Sequence, residues 1–243
     1  MGIKSLLFGG GQSREQRQIE KLKRKMLNPH RQSDERLFAI HQLFELRSVA
    51  GVEAMIQRFT YKTDATTTDE DEKRQTMEML TELGSMAMDP IEAFVLSKRN
   101  VYWPLMAFRN TRGDEAAEDL LIRALDTVDH GFAEEERRKE ELISNLREFR
   151  SDRVYQILVD SLGDSNDDVR VMAVEGLVTY GPNRALPPLI ERLVKQDESA
   201  RIRTVIMEVL ADTGWSLMKY RAGLMGNMIP AYDIGPDGKI VRN

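Results

Sequence analysis

Between residues 167 and 193, apolar positions recur at the spacing of two consecutive amphipathic helices. Val169, Ala173, Leu177 and Tyr180 follow at steps of four, four and three, which is one stripe of a helix. Gly181-Pro182 stops that helix. Pro187-Pro188 suits the first turn of the next one, where missing amide donors cost little. Ala185, Leu189 and Leu193 form the second stripe. The pattern predicts two antiparallel helices joined by a short turn.

The unit repeats along the chain. A shift back by 31 residues gives Leu142, Leu146, Phe149, Val154, Leu158 and Leu162; a shift by 134 gives Ala39, Leu43, Leu46, Val52, Met55, Ile56 and Phe59. Further copies read Thr76, Leu80, Leu83-Gly84, Ile91 and Val95, and then Ile202, Ile206, Leu210 and Gly214. The third copy is the weakest, with Phe108 followed by Ala116, Leu120 and Ala124. The central residues of the first helices are therefore Leu43, Leu80, Phe108, Leu146, Leu177 and Leu210. A cation stands seven positions before five of them: Arg36, Lys73, Lys139, Arg170 and Arg203. Amphipathicity alone does not explain a charge repeated at a fixed place.

The core at 167–177, Asp-x-x-Val-Arg-x-x-Ala-x-x-x-Leu, resembles the HEAT repeats of the phycobilisome-lyase type, and the resemblance extends over about 33–214. It implies an all-α fold, an α-solenoid (α-α superhelix) of about six HEAT-like helix pairs at 32–214. Such a motif specifies an architecture and leaves the chemistry open. Similar chains include bilin lyases, scaffold subunits and helical nucleic-acid enzymes. One helix pair cannot bury both stripes alone, so stacked neighbours share a core whose two ends need covers. Residues 12–31 read as a basic capping helix with Ile19, Leu22 and Met26 inward, behind a flexible segment at 1–11. At 215–243, Trp215, Leu217, Met218, Tyr220, Leu224, Met225, Met228 and Ile229 would close the other end. A short C-terminal β-hairpin is expected around Gly235-Pro236-Asp237-Gly238.

Composition narrows the chemistry. The absence of cysteine removes disulfides, thiolate metal sites and thiol nucleophiles. His30, His41 and His130 are too dispersed for a ligand motif, and each lacks the following Glu used by helical-repeat iron hydroxylases. Gly9-Gly10-Gly11 follows no strand and precedes no Lys-Ser/Thr, so it is no phosphate loop. No catalytic residue, metal ligand or cofactor is therefore assigned, and the expected class is a non-catalytic protein-binding scaffold or adaptor, with no small-molecule substrate inferred. A bilin-lyase-like chromophore chaperone is the alternative, followed by a HEAT-like DNA-binding enzyme. Ser5 falls one place short of a myristoylation signal and no export signal is seen, so a cytoplasmic location is expected.

Charge points to candidate surfaces. Net charge is −5, yet residues 1–31 hold eight Lys/Arg against Glu15 and Glu20, leaving an acidic body. The basic arm (Arg14, Arg17, Lys21, Lys23, Arg24, Lys25) reads as a solvated cap helix or as a contact for phosphates or an anionic membrane, to which Ile3, Leu6, Leu7 and Phe8 would add weak apolar contact. The acidic body argues against nucleic acid. Two long inter-repeat spacings place insertions at 60–71 and 126–135, carrying Asp64, Asp69, Glu70, Asp71, Asp126, Asp129, Glu134 and Glu135. They read as acidic rim loops for a protein partner, which could be basic, or as acids favoured at helix N-termini. Tyr102 and Trp103, beside Pro104 in the irregular third unit, form either a partner pocket or the filler of a shortened helix. Asp164-x-Asn166-x-Asp168 matches a calcium loop only superficially, because Val169 stands where that loop needs Gly. Helix capping accounts for it better.

Overall fold

The computed structural model describes residues 13–129 and 132–243. These divide into two compact units between Ala124 and Leu125. Residues 1–12 and His130 fall outside the described residues. Among the described residues, no helix is long and apolar enough to cross a membrane.

The first unit contains α1 (Arg14–Met26), α2 (Ser33–Glu45), α3 (Val49–Ile56) with a 3-10 turn at Gln57–Thr60, α4 (Thr66–Glu82), α5 (Ser85–Ser97), α6 (Tyr102–Arg112) and α7 (Asp114–Leu125). First helices stack in the order α2, α4, α6; the second helices α3 and α5 also pack together, and α1 covers α2 and α3. The repeat centres Leu43, Leu80 and Phe108 are all buried, as are Ile19, Leu22 and Met26 of α1. Between paired helices the chain turns through Gly84 and Gly113, both at positive φ. In the first pair Arg47 adopts that conformation at φ 46. Its guanidinium lies 4.4 Å from the Phe44 ring centroid and 2.8 Å from Glu82, contacts that offset the backbone cost.

The second unit contains α8 (Ala133–Leu146), α9 (Asp152–Ser161), α10 (Asp167–Val178), α11 (Pro182–Leu193) and α12 (Ala200–Thr213), followed by a 3-10 turn at Met218–Tyr220, α13 (Arg221–Leu224), β1 (Tyr232–Ile234) and β2 (Ile240–Arg242). First helices again stack in series, α8, α10, α12, with α9 and α11 on α10. Leu146, Leu177 and Leu210 have no exposure. The architecture is an all-α helical solenoid type with a short C-terminal hairpin. The first helix of the sixth repeat, α12, is followed by the short elements of the C-terminal end, of which β2 packs on α12.

Local sequence explains several departures from the expected pattern. The helix predicted to start near Pro187 begins at Pro182, so Pro187 and Pro188 sit in its interior. Pro188 cannot donate to the Arg184 carbonyl, and the Tyr155 hydroxyl donates to it instead at 3.1 Å. The third repeat is not broken. Pro104 is the third residue of α6, within the first turn whose amides have no intrahelical partner. At the C-terminal end Leu217 and Leu224 are buried, whereas Met218 and Met225 remain exposed. The hairpin pairs Tyr232 with Arg242 and Ile234 with Ile240 across the expected Gly-Pro-Asp-Gly turn.

Candidate functional site

The insertion at 60–71 is mostly helix. The 3-10 turn prolongs α3 and Thr66–Asp71 begin α4, so the chain is irregular only at 61–65. This extension carries Asp69 away from solvent. Its carboxylate accepts from Arg58 Nη2 at 2.6 Å and from the Thr63 amide at 3.0 Å, and pairs with Lys73 at 2.6 Å. One helical turn on, Glu72 is fully buried between Arg36 and Arg58, each of which has its Nε 3.0 Å from Oε2. Arg36 Nη2 and the Ser33 hydroxyl donate to the other oxygen. Asp69 was expected on an acidic rim; it belongs instead to an internal cluster of three cations and two carboxylates.

That cluster ties α1 to the stack. Arg36 also donates to the carbonyls of Pro29 and Arg31, and Tyr61 donates to the Met26 carbonyl. Burial would raise the pKa of Glu72, but hydrogen bonds from Arg36 and Ser33 and the charge of Arg58 outweigh it and hold the group low. Asp69 is likewise held low, because bonds from Lys73, Arg58 and the Thr63 amide overcome its burial. Burial pushes the Tyr61 phenol up despite the neighbouring guanidinium groups.

The repeated cation now has a physical explanation. Arg36 of α2 reaches Glu72 of α4, Lys139 of α8 reaches Asp164 before α10, and Arg170 of α10 reaches Glu198 before α12 at 3.0 Å. Lys73 pairs within its own helix, and Arg203 donates to the carbonyls of Lys195 and Glu198. Glu198 is also paired with Arg192 and accepts from the Ser199 amide at 2.9 Å. The acids of these short turns therefore link one repeat to the next. Asn166 caps α10 by accepting from the Asp168 amide at 2.8 Å, and Asp164 accepts from the Asn166 amide, so the calcium-like spacing is a helix cap. Among the described residues, no group of three or more His, Cys, Asp or Glu could hold a metal ion.

Other predicted residues remain at the surface. Asp64, Glu70 and Asp71 are exposed in the first unit; Asp126, Asp129 and Glu134 are exposed in the second. Glu134 and Glu135 lie in the first turn of α8, where the helix dipole favours acids, and Glu135 pairs with Arg138 at 3.4 Å. Tyr102 is half exposed and meets Trp103 edge-on at 5.1 Å. On α1, Arg14, Arg17, Lys21 and Arg24 are exposed, while Lys23 and Lys25 are half-buried. The helix starts with a Ser13–Gln16 capping box and ends with Lys23, Arg24 and Lys25, an order that suits its dipole.

A concavity of the first unit lies between α1, α3 and α5, with a volume of about 600 Å³. Buried Ile19, Ala54, Ile56 and Phe94 give it an apolar floor. Ala50, Ala54 and Ala93 contribute short side chains to its lining. Polar groups lie above that floor, from Gln16, Glu20 and Lys23 on α1, Glu53 and Gln57 on and just after α3, and Ser97 and Lys98 at the end of α5. Both charge signs and two side-chain amides thus line the same groove. The sequence signal for this groove was the cap helix with Lys23 on its flank; the alanine positions were not distinctive by themselves.

The family model for HEAT repeats matches residues 133–211, from α8 to near the end of α12. The matched stretch lies within the second unit, and the groove lies outside it. No curated protein matches the sequence.

Proposed function

We propose that this chain is a non-catalytic, cytoplasmic protein-binding scaffold whose first unit grips a partner segment in the groove between α1, α3 and α5. HEAT repeats generally mediate protein–protein interaction. The observation that carries the reading here is the groove itself, an apolar floor flanked by carboxylates, ammonium groups and amides. An amphipathic helix or extended peptide has the matching chemistry: apolar side chains for Phe94 and Ile56, polar ones for Glu53, Lys23 and Gln57. Exposed acids at Asp64, Glu70, Asp71, Asp126, Asp129 and Glu134, together with Tyr102 and Trp103, are secondary contacts in this proposal, and Arg14, Arg17, Lys21 and Arg24 form the basic margin of the groove helix.

The test is comparative affinity capture from native lysate with mass spectrometry. Ala50→Arg and Ala93→Arg fill the groove from exposed positions and should leave helical content unchanged. Both should lose a partner that wild type and a surface control, Glu78→Gln, retain. Identical partner sets for all four proteins, or turnover of a metabolite by the purified chain, would overturn the reading. Visible absorbance on co-expression with a bilin and its apoprotein would favour the chromophore chaperone.

A further inference from the structure

We propose that the groove seats one helix of a partner protein, antiparallel to α1, α3 and α5, with an acidic residue in its first turn and a basic residue three or four positions later. The inference rests on the groove reading above and adds the partner's shape, direction and charge pattern. The lining residues follow a single spacing on all three helices. They run from Gln16 to Lys23 on α1, from Ala50 to Gln57 along α3 and the turn that prolongs it, and from Pro90 to Ser97 on α5, each set at i, i+3, i+4 and i+7. That spacing is one stripe of a helix, two turns or about 10.5 Å long. Because α3 packs against both α1 and α5, the three stripes border one trough that runs along the helices. A helix suits such a trough because it satisfies its own backbone hydrogen bonds. An extended segment would find few partners there, since the backbone groups of the walls are used within their own helices.

Charge sets the direction. Tyr61, just after the extension of α3, donates to the Met26 carbonyl at the end of α1, so α1 and α3 end on the same side. There Arg58 meets Glu72, early in α4, and the turn at Gly84 brings the end of α5 back to that side as well. Lys23 and Lys98 therefore stand at one end of the trough, with Glu20 and Glu53 about a turn further in. These four charges make no ion pair with another described residue, whereas Arg74 and Glu78, or Arg123 and Glu92, are paired elsewhere on the unit. An antiparallel occupant opposes its dipole to those of the three helices. It puts its N-terminus, where acids are favoured, at the two ammonium groups. One turn along, its basic residue faces Glu20 and Glu53, while its apolar side chains meet Ile19, Ala54 and Phe94. A parallel occupant would set its last turn, where bases are favoured, against the same two lysines.

The probe is a displayed library of helical peptides of about fourteen residues, randomised along one face. Clones retained by the wild-type chain and released by Ala93→Arg should carry an acid in the first turn, a base three or four residues on, and apolar residues on the same face. A synthetic peptide of that consensus should bind wild type at least about tenfold more tightly than its isomer with the two charges exchanged. Lys23→Glu/Lys98→Glu should reverse that order; should the double variant unfold, Lys98→Glu alone, at an exposed residue, should still narrow the ratio. Selection of extended or charge-independent clones, of the opposite polarity, or of no clone sensitive to Ala93→Arg would overturn the proposal. Self-association of the chain that Ala93→Arg abolishes would assign the groove to a second copy and overturn it too. Loss of the cellular partner by Ala50→Arg and Ala93→Arg without such selection leaves the docking site standing, so the two readings fail separately.

Discussion

Glu72→Gln removes one negative charge while keeping the side chain's shape. Arg36 and Arg58 retain only 4% and 0% side-chain exposure, so neither guanidinium can turn to water. The variant leaves Asp69 as the remaining buried carboxylate of the cluster beside three buried cations. Breaking a buried pair by removing one partner costs about 3–5 kcal/mol, since the surviving charge is left uncompensated. The glutamine oxygen still accepts one bond, which places the expected loss near the lower end, at about 3 kcal/mol. For a unit of this size that lowers Tm by roughly 10–15 °C. Urea unfolding followed by circular dichroism gives the free energy, and hydrogen exchange locates it: amides of α1, α2 and α4 should lose protection together, because Arg36 and Tyr61 hold the end of α1 and the connection after it. Glu78→Gln, which disrupts an exposed pair with Arg74, should cost less than about 1 kcal/mol. If the two variants unfold within about 0.5 kcal/mol of each other, a margin set by ordinary surface substitutions, the cluster is not what secures α1.

Two further outcomes follow from the same structure. Glu72 and Asp69 have folded pKa values below their ordinary 4.5 and 3.8, so their contribution is complete above those values and is lost as pH falls through the lower folded ones. Acid titration of stability should therefore show a drop below about pH 4.5 that is reduced in Glu72→Gln; equal acid sensitivity in both proteins would contradict the assignment. Gly238→Ala should disorder the C-terminal hairpin, because φ there is 82° and an added Cβ would stand 2.4 Å from Met218 Cγ and 2.9 Å from the Met218 amide. Faster exchange at Leu217, whose amide donates to the Gly238 carbonyl at 2.7 Å, is the measurement, and unchanged protection there would count against it.

The repeat itself was legible because burial imposes a period. All six repeat centres read from the chain are buried, and the turn glycines Gly84 and Gly181 and the Gly-Pro-Asp-Gly hairpin are local devices written in a few adjacent residues. The fixed cation seven places before five of the six centres was also visible, but its purpose was not. For Arg36 and Arg170 the pairing acid lies far along the chain, 36 and 28 residues away. Asp69 shows the limit most clearly. As a string, Asp69-Glu70-Asp71 reads as one acidic surface, yet a helix directs consecutive side chains about 100° apart. Asp69 is consequently buried with Arg58 while Glu70 and Asp71 face solvent.

Sequence by itself determined that this chain folds as packed amphipathic helices, with a covering helix on the first pair and a hairpin following the last helix. It did so because hydrophobic period, capping and turn chemistry act over a few residues. Tertiary structure alone decided which charges are internal struts, and that Ala50, Ala54 and Ala93, contributed by two separate helices, leave open a groove beside α1. Such a space is bounded by residues of three helices at once, and no local pattern records that.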